Sequence, residues 1–478
     1  MLKEFLNLKR KFLRIITISS LKSFYITLFT LTIVAFLELG GIALLYPYID
    51  FILNPENIFD NTIFKFFYDL FNFKNTNSFL IYLGIFLIIF IIFSSFLGAY
   101  SKVLINKYVW GANIELVKLS FKITISKPYL ELKKRNSNKL TNDIINEVSV
   151  FTNGLMVPIF DIIPRIMILI LLLFFILYVD FLSTIIIIGI LGFIYFLIYN
   201  FFNKEVSLMS EKRFEMARSL FDYVNTSLKS IKDIKVNNLE GLYLEKISKP
   251  ATIYSNLNQI ISIFSLMPKY ILEAFIFTIA ILFLIFNLTD NEKIIELIPL
   301  ISLYALTAFK LMPHINGIFV ATAKIKFNYK SLDVVYKHFD LVNTFKESTF
   351  EKPNNFNSIE LKDVFFVYDD DNNELLRNIN FKIKKNDFLF ITGESGSGKS
   401  TLFEIILGLI QPSSGQLLFN NKPNKSKLSQ FFSIGYVPQE IMLFEGSFKE
   451  NVALFDNNPD VNQLNKIIKL THLKDVVE

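Results

Sequence analysis

Six apolar stretches, near 23–47, 79–101, 158–179, 182–202, 260–286 and 294–320, constrain this 478-residue chain more than any other feature. A helix crosses a bilayer with about twenty such residues. In hydrocarbon a backbone must satisfy its own hydrogen bonds, so stretches of this kind are expected to be helices. Composition agrees, with 52% hydrophobic residues, 53 Phe and a mean hydropathy of +0.43. No cysteine is present, which excludes disulfides and thiolate metal sites, and three His leave little for an imidazole site.

Basic residues in short connecting segments stay on the cytosolic side. Segments 102–157 and 203–259 each carry nine Lys/Arg, whereas 46–78 has Lys65 and Lys74 against Asp50, Glu56, Asp60 and Asp69. Six spans with both termini cytosolic are therefore expected. The first twenty residues interleave Lys3, Lys9, Arg10, Lys11 and Arg14 with apolar ones and read as an amphipathic helix on the inner membrane surface. The long inner segments show apolar residues at three- and four-residue spacing, so the spans are expected to continue as helices beyond the membrane. Tyr178, Val179 and Asp180 form a minimal link between spans three and four. A short pattern, TIFKFFYDLF at 62–71, suits a helix lying in the outer interface.

Composition changes near 331. We expect a membrane part over 1–330, a polar linker over 331–357 and an α/β domain over 358–478. SIELKDVFFVY alternates like an edge strand. Further on, GESGSGKST at 393–401 places Gly393, Glu394, Ser395, Gly396, Ser397, Gly398, Lys399, Ser400 and Thr401 between FLFITG and LFEIILGLI. A strand delivering a glycine loop to a helix start is the context in which backbone N–H groups hold phosphate. Lys399 is expected on the β and γ oxygens of ATP and Ser400 on Mg²⁺. No nucleic-acid partner is expected.

Six spans, long inner helical extensions and then a P-loop resemble the layout of ABC exporter half-transporters of type I. The resemblance implies a homodimer or heterodimer in the bacterial inner membrane. Tyr368, at the end of VFFVY, matches the aromatic that stacks on adenine in this family, and Gln439 in YVPQE matches the glutamine that senses Mg²⁺ and γ-phosphate. FLELGGIALLYPYI at 36–49, MPKYILEAF at 267–275 and YALTAFKLMPHINGI at 304–318 are similar to the bacterial lipid-linked oligosaccharide flippases. That resemblance implies transport of a polyprenyl-pyrophosphate-linked glycan, with export of lipid A or of peptide as alternatives.

The sequence shows no LSGGQ signature, Walker B strand or switch histidine before Glu478. The resemblance thus implies a C-terminally truncated chain with an incomplete ATPase domain, not turning over ATP by itself. A non-hydrolysing ATP-binding membrane partner is the remaining alternative.

Ionisable groups at membrane depth are costly and functional as a rule. Lys269 and Glu273, four residues apart, share a helix face and are expected to neutralise one another. Glu38 and Lys310 have no partner on their own spans. Lys310 and Arg165 are the candidate contacts for an anionic lipid headgroup.

Overall fold

The computed structural model describes residues 21–478 except 135–136, 288–290, 341–355, 369–373, 424–433, 440, 442, 454–457 and 478, together with Lys11, Phe12 and Ile15. Most of the expected N-terminal helix and of the linker lies outside the described residues. Two compact units divide at Glu347 and Ser348.

The first unit is helical: α1 (Leu21–Leu53), α2 (Thr62–Leu70), α3 (Thr76–Ser126), α4 (Ser137–Val179), α5 (Phe181–Lys229), α6 (Glu240–Asn287) and α7 (Asn291–Asp340). At 1.5 Å per residue, the 51 residues of α3 reach about 75 Å, far beyond the bilayer core. The helices do run on past the apolar stretches. Among the described residues, Leu21–Leu53, Thr76–Ser126, Ser137–Val179 and Glu240–Thr278 are long and apolar enough to cross a membrane. The expected fourth span retains a shorter apolar stretch, Thr184–Leu197, and the sixth belongs to α7, many of whose side chains before Tyr304 lie outside the description.

Packing explains which faces turn inward. Leu31 of α1, Ile105, Val109, Ala112 and Leu116 of α3, Phe151, Leu155 and Phe160 of α4, and Leu332 and Val335 of α7 form one buried cluster. Phe12 and Ile15, three apart, join it, and Lys11 pairs with Asp333 at 2.5 Å. Residues 331–340 therefore extend α7 and are not the polar connector expected of them. Their apolar residues recur at helical spacing, and burial outweighs the polar neighbours.

α4 is broken twice by π-helical turns, Asn142–Asn146 and Thr152–Met156. At the second, Asn328 of α7 lies so near Gly154 that a Cβ there would meet it at 2.6 Å. Between the turns Glu147 is 1% exposed, with Oε2 unpartnered. Arg213 of α5 is 2% exposed with Nε and Nη2 unpartnered, while Arg218 and Asp143 bond at 2.6 Å. α2 is capped by Asn61, whose Oδ1 accepts from the backbone of Ile63 and Phe64. Its Phe64 packs on Phe51, Ile58 and Phe79, leaving Ile63, Phe66 and Leu70 exposed.

The second unit is built on an antiparallel sheet of β1 (Ser358–Phe366), β2 (Leu376–Lys384), β3 (Ser414–Phe419) and β4 (Lys422–Pro423), in the order β2-β1-β3-β4. β1 is thus an inner strand, not the edge its alternation suggested. A register shift between Leu361 and Val364, with Asp363 at φ 47°, bends it. Helix α8 (Lys399–Ile406) lies between β2 and β3, and α9 (Phe448–Val452) and α10 (Val461–Leu470) follow β4. FLFITG is not a strand: residues 388–393 join no ladder, and Phe388 and Phe390 are 86% and 77% exposed. A strand needs at least one hydrogen-bonded neighbour, and among the described residues no ladder includes this segment.

Candidate nucleotide site

The glycine loop leads directly into α8, with Gly398 as its N-cap. Gly396 and Gly398 sit at φ +86° and +87°, a region open to glycine at little cost. At Gly398 a Cβ would also meet the Leu376 side chain of β2 at 2.9 Å, so the loop lies close against the sheet there. Ser397 N–H closes the turn onto the Glu394 carbonyl at 3.2 Å. The first N–H groups of a helix have no intrahelical acceptor and carry the positive end of its dipole. An anion is the complement of that arrangement.

Lys399 Nζ donates to the carbonyl oxygens of Gly393 and Glu394 at 2.7 and 2.6 Å, bridging the loop from within. Ser400 is exposed beside it, and Thr401 is buried with its Oγ1 3.1 Å from the Tyr368 hydroxyl. Tyr368 stands edge-on to Phe366, the last residue of β1, with ring centroids 4.9 Å apart. The structure thus brings Tyr368 and residues 393–401 together in one unit. Gln439 is exposed, and no hydrogen bond joins it to the loop among the described residues. Its neighbours Tyr436 and Val437 are 64% and 84% exposed. Beyond it, Ser447 and Glu450 form a capping box that starts α9.

Residues 376–478, which hold the loop, match the family model described as ABC transporter. The second unit carries an ABC-type ATP-binding domain. An uncharacterized ABC transporter ATP-binding protein, YfiB, of Bacillus subtilis is 38% identical over 121 residues, 25% of this chain and 21% of that protein. A putative export ATP-binding/permease protein of Rickettsia bellii is 39% identical over 132 residues, 27% and 22% of the two chains. The similarity is longer, 283 residues at 29% identity, with a lacticin-481/lactococcin-DR transport/processing ATP-binding protein of Lactococcus lactis, covering 57% of this chain and 39% of that one. The chain therefore spans about a fifth to two fifths of the length of these curated relatives.

In the helical unit, the carboxylate of Glu38 on α1 meets His314 of α7 at 3.1 Å. Glu38, with no partner on its own span, thus meets another span, at a histidine that the sequence does not single out. Arg165 of α4 donates Nη1 to the Pro313 carbonyl at 2.8 Å. Lys310 is exposed on α7. Lys269 and Glu273 do not pair; the Lys269 ammonium lies 5.6 Å from the centre of the Tyr270 ring.

Proposed function

We propose that this chain is a half-transporter subunit of an ATP-driven exporter that moves an amphiphile, a polyprenyl-pyrophosphate-linked oligosaccharide, across the bacterial inner membrane. The observation that carries this reading is the glycine loop capping α8, in one chain with helices of membrane-spanning length and apolarity. In this reading the subunit works as a dimer, spans the membrane six times and keeps both termini in the cytosol.

ATP supplies the free energy when bound. Tyr368 would hold the adenine by stacking, which a flat ring does best. The backbone of Gly393 to Gly398 would surround the phosphates, and Lys399 would exchange its loop carbonyls for β and γ oxygens. Ser400, at the start of α8, and Gln439 would hold Mg²⁺ through a hydroxyl and an amide oxygen. The flippase reading of the cargo rests on the stretches at 36–49, 267–275 and 304–318 together with the cations Lys310 and Arg165.

Inverted membrane vesicles holding the chain in a transporter with complete ATP sites test this. ATP-dependent translocation of an undecaprenyl-pyrophosphate-linked glycan is expected, and Lys399→Ala should abolish it. Peptide export is the second reading, favoured by the similarity to the lactococcal protein. Peptide uptake into the same vesicles without glycan movement would select it.

A further inference from the structure

Three helices meet at a polar cluster at the depth of the apolar stretches. Lys310, His314 and Gly317 recur at four- and three-residue spacing, so they occupy one face of α7. Glu38 of α1 reaches His314 at 3.1 Å. Arg165 of α4 fills the space beside Gly317 that any side chain would take, which explains a glycine there. The same guanidinium bonds the Pro313 carbonyl at 2.8 Å, yet among the described residues its buried Nε has no partner, nor has Nδ1 of His314. One carboxylate thus shares this part of the three helices with a lysine, an arginine and an imidazole. Excess charge of one sign at membrane depth is costly. The deficit in this cluster is negative charge.

We propose that Lys310, His314 and Arg165 form an intramembrane site for a phosphate-bearing group, and that Glu38 is its resident counter-ion, competing with the incoming anion for His314. The proposal rests on the reading of the chain as an amphiphile transporter and deepens it by adding Glu38 and His314, with opposite effects. A carboxylate serving only to join α1 to α7 would stabilise the helix pair, and its loss would weaken everything the pair supports. A competing counter-ion does the reverse. Its neutralisation leaves the cations less compensated, and an anion binds more tightly.

The test uses the whole chain in nanodiscs of phosphatidylcholine, with fluorescent phosphatidic acid as the phosphomonoester probe and size-exclusion chromatography as the fold control. Lys310→Ala should weaken binding about tenfold, the usual worth of one charge-assisted contact. Lys310→Arg should keep most of the affinity. Glu38→Gln should tighten binding several-fold, and His314→Ala should reduce the effect of Glu38→Gln. Weaker binding in Glu38→Gln, or indifference to Lys310→Ala in a chain that elutes normally, would overturn the proposal. Inorganic pyrophosphate as competitor separates the sources. Displacement of the probe with the same rank of variants assigns the site to a free anion, and no displacement assigns it to a lipid headgroup. If the rank holds while glycan translocation fails, the cargo assignment falls and the anion site stands. If translocation proceeds without the rank, the site falls alone.

Discussion

Tyr368 and Thr401 share a hydroxyl-to-hydroxyl hydrogen bond of 3.1 Å, tying the residue just beyond β1 to the first turn of α8. The aromatic expected on adenine is thereby fixed to the helix expected under phosphate. Tyr368→Phe should retain the ring and cost about 1 kcal/mol of domain stability through the lost bond. Tyr368→Ala should lose nucleotide affinity as well. Thermal unfolding and binding of a fluorescent ATP analogue separate the two effects, and equal affinity in all three proteins would remove the stacking role.

Glu147 lies between two π-turns with a buried oxygen that bonds nothing, near an Arg213 that is also incompletely paired. Burying a charge is repaid only when its hydrogen bonds are complete. Glu147→Gln, which keeps the shape and drops the charge, should destabilise by about 3 kcal/mol if it leaves Arg213 buried without its counter-charge. Arg213→Met should destabilise if Arg213 is what compensates Glu147, and the double variant should recover part of that loss. Additive losses in a double-mutant cycle would show that the two do not interact.

On the sheet, the Lys382 ammonium 2.9 Å away, helped by Lys362, holds the Glu360 carboxyl below its ordinary value of 4.5. A carboxyl that ionises more readily when folded stabilises above its unfolded pKa. That contribution is lost as pH falls from about 4.5 through the lower folded value. Glu360→Gln should therefore lower the stability of the second unit slightly at neutral pH, leave it almost unaffected at low pH, and so flatten the acid limb of the unfolding profile. An unchanged acid limb would argue that the pair is too solvent-screened to matter.

The absence of cysteine allows single-cysteine mapping of topology. Cysteines at Asn61 and Asn291 should label from outside, and cysteines at Ser137 and Asn237 only after permeabilisation. Asn138 is unsuitable, being 8% exposed. The reverse pattern would invert the orientation read from the basic segments.

Local features of the sequence showed through well. Length and apolarity announced the helices, spacing announced their extension, and a nine-residue motif announced the glycine loop and the helix it caps. Relationships between distant residues did not. The partner of Glu38 is 276 positions away, on a helix where His314 carries no local signal. FLFITG has the composition of a buried strand, yet composition cannot say whether neighbours are present to complete the ladder, and here Phe388 and Phe390 stay exposed. Residues 331–340 looked like a connector because of Asp333, Lys337 and His338, although Leu332, Val335 and Tyr336 already had the spacing of a packed helix face. The π-turns around Glu147 are set by packing against α5 and α7, which no local pattern encodes.

Equilibrium binding of a fluorescent ATP analogue to the purified chain, with and without Mg²⁺, tests the central claim most directly. Wild type should bind saturably and more tightly with Mg²⁺, and Lys399→Ala should lose at least about tenfold in affinity, since an ammonium-to-phosphate contact is worth about 1.5–3 kcal/mol. Binding that is insensitive to Lys399→Ala and to Mg²⁺ would contradict it.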